Sequence, residues 1–67
     1  MSFAKTIEMS AESTQGFHDA VKRGVERATS TLDNVKSVWV KSEEVALDAD
    51  GNIAGYRAHL KITFEMQ

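Results

Sequence analysis

The chain has 67 residues, eight Lys and Arg against ten Asp and Glu for a net charge of −2, and no Cys. A domain this short buries only about 60% of its unfolded surface and needs a staple; without Cys that cannot be a disulfide or a thiolate zinc site, so association with further copies is expected. The basic residues are scattered among acids, unlike the stripe of a nucleic-acid binder, and no apolar run reaches the roughly 20 residues of a membrane-spanning helix. Met1-Ser2-Phe3-Ala4-Lys5 lacks the basic flank and apolar stretch of a signal peptide. These features predict a cytoplasmic protein with neither nucleic acid nor membrane as partner.

Phe3 to Met9 alternates as a strand does, with Phe3, Lys5, Ile7 and Met9 on one face and Thr6 and Glu8 on the other. Ala11 to Gly16 reads as a helix start, with Ser13 placed to accept a hydrogen bond from a free N–H of the first turn. Phe17, Ala20, Val21, Val25, Ala28 and Leu32 then follow helical spacing of three and four. Gly16 and Gly24 each weaken a helix by up to ~1 kcal/mol relative to Ala, so close packing against them is expected. Asp33-Asn34 ends the helix, because both residues favour turns and tolerate left-handed geometry.

Ser37 to Leu47 is rich in β-branched residues, and Asp48-Ala49-Asp50-Gly51-Asn52 follows it. Asp-Gly signals a hairpin, since both central residues of a type I′ turn take positive φ. Beyond it, Tyr56, Ala58, Leu60, Ile62, Phe64 and Met66 take one face, and Arg57, His59, Lys61, Thr63 and Glu65 the other. The sum is an α+β fold of order β-α-β-β, a three-stranded antiparallel sheet with one helix across its apolar face, in a single domain over residues 1–67. Centring the turn on Asp50-Gly51 sets polar-face residues against apolar ones, so a one-residue shift is expected. That shift would place Arg57 opposite Glu43 or Val45, and Trp39 opposite Lys61 or Thr63.

No catalytic constellation emerges. The sequence has no GxSxG elbow, and no serine stands near a His along the chain. His18 reads as a surface residue, and His59 as solvated or at an interface. Asp48 to Asn52 is reminiscent of a calcium loop, but Gly51 is fourth where such a loop has its Gly sixth, and strands flank it; the hairpin turn is the better reading. Glu43 and Glu44 point to opposite faces of one strand and form no carboxylate pair within a chain. Trp39 lies on the polar face with Ser37 and Lys41, where a neighbouring copy or a flat ligand must cover it. The need for partners favours the copy.

The order and spacing of four segments resemble the dodecins. These are Lys5-Thr6-Ile7-Glu8-Met9 leading to Ser13, Phe17…Ala20-Val21…Glu26-Arg27-Ala28, Thr31-Leu32-Asp33-Asn34-Val35, and Gly55 through Met66. The resemblance implies a protomer whose sheet wraps its helix, assembled as a hollow homododecamer of tetrahedral symmetry. Many dodecins hold flavins in stacked pairs, with a Trp of the second strand on the isoalloxazine and a Gln of the third on its polar edge. Here Ser37 matches that Trp position and Arg57 that Gln, while Trp39 faces the same way ~6.6 Å further on, two residues along the strand. The sequence is thus similar to a divergent branch whose third strand reads Tyr-Arg, some members of which bind calcium.

The expected function is binding and storage of a small ligand by a homododecameric shell, with flavin affinity weak or lost and no catalysis. A flavin-binding storage protein is the alternative, as is a structural or calcium-binding shell. Candidate site residues are Ser37, Trp39 and Arg57 for a flavin (FMN, FAD or riboflavin), and Glu43, Glu44, Asp48 and Asp50 for calcium shared between copies.

Overall fold

The structure is a computed structural model that describes residues 3–66; residues 1, 2 and 67, which the single-domain expectation includes, lie outside it. Strand β1 (Phe3–Ser13) leads to helix α1 (Phe17–Thr31), then to strands β2 (Val35–Leu47) and β3 (Ile53–Met66). The sheet is antiparallel throughout, with β3 in the centre and the order β1-β3-β2. The predicted β-α-β-β architecture is therefore the one observed.

Helix α1 lies on the sheet face predicted to be apolar. Ala20, Ala28, Ala58, Leu60 and Ile62 are fully buried, and Met9, Ala11, Val21, Leu32, Val35, Val38 and Val40 pack around them. Ala20, Gly24 and Ala28, spaced by four on one side of the helix, allow it to sit low on β3. A Cβ placed on Gly24 would lie 2.3 Å from Leu60 Cδ1 and 3.2 Å from Ala11 Cβ. Close approach thus accounts for Gly24, as expected, but not for Gly16, where a Cβ would meet nothing within 4 Å. Phe17 closes one end, its ring meeting Tyr56 edge-on at 5.1 Å between centroids.

Two local expectations are corrected. Strand β1 continues through Ser13, so Ser13 does not cap the helix; Gly16, at φ 151°, is the N-cap and no side chain bonds there. Ser13 is instead 6% exposed, accepting from the Gln15 N–H at 2.9 Å and donating to the Asp19 carboxylate. The hairpin is not type I′, because Gly51 is its only positive-φ residue, at 82°. The Gly51 N–H bonds Asp48 O at 3.1 Å and the Asp48 N–H bonds Asn52 O at 2.9 Å, as in a three-residue loop with a left-handed Gly at its end. At the helix exit Asn34 does adopt the left-handed conformation, with φ 58°.

The principal extents are 53 × 17 × 14 Å, whereas 15 helical residues span only about 22 Å. The helix covers the middle of a long sheet. Phe3 and Met66 at one end, and Leu47 and Ile53 at the other, are 63%, 44%, 61% and 58% exposed.

Candidate functional site: the outer face of the sheet

The sheet face away from the helix carries most of the chain's polar chemistry, and strand register arranges it in rows. Thr6, Thr63 and Ser37 form one row across β1, β3 and β2, followed by Glu8, Lys61 and Trp39. Ser10, His59 and Ser42 come next, then Glu12, Arg57 and Glu44. A β-bulge between Val40 and Ser42 makes this pattern possible. On one side of it Val38 and Val40 oppose Ile62 and Leu60, towards the helix; on the other Glu43 and Val45 oppose Ala58 and Tyr56. The extra residue, Lys41, reverses which positions face outward.

Trp39 lies opposite Lys61, as the turn arithmetic predicted. Arg57 lies opposite Glu44, neither Glu43 nor Val45, because the register stays constant from Ala46 to Ser42 and the shift that sets Trp39 opposite Lys61 comes only at Lys41 in mid-strand.

Two of the rows join into one chain of hydrogen bonds. Arg57 Nη2 donates to Glu12 Oε1 at 2.8 Å and Nη1 to Glu44 Oε1 at 3.3 Å. His59 Nε2 lies 2.6 Å from that same Glu44 oxygen, and Nδ1 2.9 Å from Ser10 Oγ. A carboxylate only accepts, so Nε2 carries a proton and donates to Glu44, while Nδ1 shares a hydrogen bond with the Ser10 hydroxyl. The bond from His59, then that from Arg57, holds the Glu44 carboxyl below its usual pKa range. Glu12 and Glu44 raise the Arg57 guanidinium in turn. Lys41 reaches across β3 to Glu8, 2.7 Å away, and lowers that carboxyl through its hydrogen bond and its charge.

Beyond this Lys41–Glu8 strap, Trp39 is 67% exposed, with Lys61 Nζ 5.8 Å from its ring centroid. Two surface concavities, about 280 and 450 Å³, lie elsewhere: one beside Glu12, Ala46 and Ala54, the other beside Leu32, Asn34 and Phe64.

Of the residues predicted for a flavin, Ser37 and Trp39 are neighbours on the outer face, while Arg57 is two rows away and tied to two carboxylates. Of those predicted for calcium, Glu44 is on the outer face and Glu43 on the other. Asp48 Oδ1 is taken by the N–H groups of Asp50 and Asn52, at 2.9 and 3.0 Å, and so shapes the turn. No group of three or more His, Asp or Glu able to hold a metal occurs among the described residues. The acids of one chain therefore do not fit a calcium ion by themselves.

Sequence reading missed the contact of Ser10 with His59, which lie 49 residues apart in the chain. The signal was present in part: both stand on the outward phase of the alternation, and pairing β1 with β3 brings them together.

A helix laid on one face of a three-stranded sheet, with a polar network and an exposed Trp on the other, defines a β-α-β-β protomer. Residues 3–67 match the Dodecin family, and the chain belongs to it. It is 30% identical to the calcium dodecin of Mycobacterium tuberculosis (strain ATCC 25618 / H37Rv) over 67 residues, all of this chain and 93% of that one. Among solved structures it is similar to the dodecin from Streptomyces davaonensis, with TM-score 0.88 and 26% identity over 98% of this chain and 96% of that one. It is also similar to the calcium dodecin of M. tuberculosis, described as a calcium-chelating immunodominant antigen with a novel calcium-binding site: TM-score 0.84 and 28% identity over 97% and 91% of the two chains. Among the described residues, no helix is long and apolar enough to cross a membrane.

Proposed function

We propose that this single-domain chain is a non-catalytic subunit of a cytoplasmic, hollow homododecamer with tetrahedral symmetry that binds and stores a small ligand. The observation that carries this reading is the uncovered apolar surface. Among the described residues only five hydrophobic side chains are fully buried, while Phe3, Leu47 and Ile53 are each more than half exposed. A core so small does not hold a domain of this size without help, and those side chains are what further copies would cover. Ligand storage follows from family membership and from the open aromatic face at Trp39. Flavin affinity is weak or absent, because Ser37 cannot stack and Arg57 is engaged by Glu12 and Glu44.

Ser10, His59 and Glu44 form a hydroxyl–imidazole–carboxylate series, yet the arrangement does not support catalysis. Glu8 and Glu12 flank Ser10 on the same face, and the cations beside them, Lys41 and Arg57, are engaged by those carboxylates, where an oxyanion would need N–H donors aimed at it. Light scattering should give a mass near twelve times 7.4 kDa; a folded monomer at micromolar concentration would refute the shell.

A second reading, a calcium-binding shell, is favoured by the relative named calcium dodecin. It requires Glu43, Glu44, Asp48 or Asp50 from several copies to converge about a symmetry axis. Isothermal titration with calcium alone tests it, and no heat at millimolar calcium would exclude it.

A further inference from the structure

The structure assigns a ligand class to the Trp39 end of the outer face: we infer that Trp39 and Lys61 together bind planar aromatic anions, with Lys61 setting the preference for charge. The inference rests on the ligand-binding reading above and adds what kind of ligand it is. Trp39 is 67% exposed, and exposed indole faces stack flat aromatic groups. Directly across the strand pair is Lys61, whose Nζ lies 5.8 Å from the ring centroid. That is the outer limit of a cation–π contact, so the ammonium is loosely held and can turn to an anion at the edge of a stacked ring.

The other charges on this face are already spent. Glu8, beside Lys61 on β1, is taken by Lys41 at 2.7 Å, and Arg57 is taken by Glu12 and Glu44. Lys61 has no carboxylate within 4.0 Å among the described residues. One row along, the Ser37 and Thr63 side chains oppose each other on the outer face and offer hydroxyls that can donate to a carboxylate or phosphate. A neutral planar molecule would gain stacking alone, and a cation would meet repulsion from Lys61. An exposed ion pair contributes little by itself, but a ring stacked over Trp39 removes water from one side of it.

Trp39 is the only Trp in the chain, so its fluorescence reports on this site alone. The full-length protein would be titrated with 2-naphthoate and with 2-naphthamide, which share a ring system and differ in charge. The expected result is roughly tenfold tighter binding of the naphthoate, about 1.4 kcal/mol, with the difference shrinking as salt is raised. Lys61→Gln should bring the two affinities together and leave the naphthamide unchanged; the salt dependence of the unmodified protein provides the same test if that variant folds poorly. Equal affinities would overturn the inference and leave ligand binding standing. A preference that survived Lys61→Gln would overturn the assignment to Lys61. Quenching by neither probe, with Trp39 also shielded from acrylamide and the mass that of the shell, would mean that a neighbouring copy covers the indole; the inference would fall and the assembly would not.

Discussion

Replacing Gly24 with alanine tests how closely the helix sits on the sheet. The new Cβ would stand 2.3 Å from Leu60 Cδ1, where two carbons prefer about 3.5–4.0 Å. Leu60 is 1% exposed and packed within the core cluster, so its methyl can move only by displacing core neighbours, and Ala11 Cβ at 3.2 Å opposes a shift of the helix towards β1. Overpacking of this kind costs about 1–3 kcal/mol, and the better helix propensity of Ala returns up to ~1 kcal/mol. The expected net loss is about 1–2 kcal/mol, read as a lower urea midpoint at fixed protomer concentration. Leu60→Ala alone should cost about 2–5 kcal/mol. The double variant should lose less than the two losses combined, by about 1–2 kcal/mol, because the truncated side chain makes room for the new methyl. A Gly24→Ala protein as stable as the original, or strictly additive losses, would refute the close approach.

Riboflavin, which is neutral and would need a stacking side chain where Ser37 stands, should show no submicromolar quenching of its own fluorescence; such quenching, abolished by Trp39→Ala, would mean that Trp39 had taken over the stacking role. Stability should also fall in acid. Glu44 and Glu8 have folded pKa values lowered from 4.5 by His59, Arg57 and Lys41, so the stability they lend is complete above about that pH and is lost as pH drops through the lowered values. Thermal melts from pH 6 downward should show this acid limb, and Glu44→Gln should make it shallower; an identical limb in the variant would refute the role of Glu44.

Much of the protein was written locally in the chain. Alternation from Tyr56 to Met66 set the two faces of β3, and three-and-four spacing from Phe17 to Leu32 set the helix; both depend on side-chain direction within a few residues. The order and spacing of these segments were enough to indicate the family. Gly24 revealed a close contact because glycine in a helix interior has a cost that packing must offset. The site was less legible. One extra residue at Lys41 reverses the outward positions of β2, moving Glu44 to the face of Arg57 and His59 and Glu43 away from it. Nothing near Lys41 in the sequence marks that bulge, since a bulge is defined by the partner strand and not by the strand that bears it. Ser13 was read as a cap because local spacing allowed it; the longer pairing of β1 with β3 drew it into the sheet and gave its hydroxyl to Asp19. Ser10 meets His59 for the same reason, through a register fixed by the burial of Ala58, Leu60 and Ile62 beneath the helix. The chain alone determined which residues could face outward; the pairing of distant strands, set by core burial, decided which of them meet.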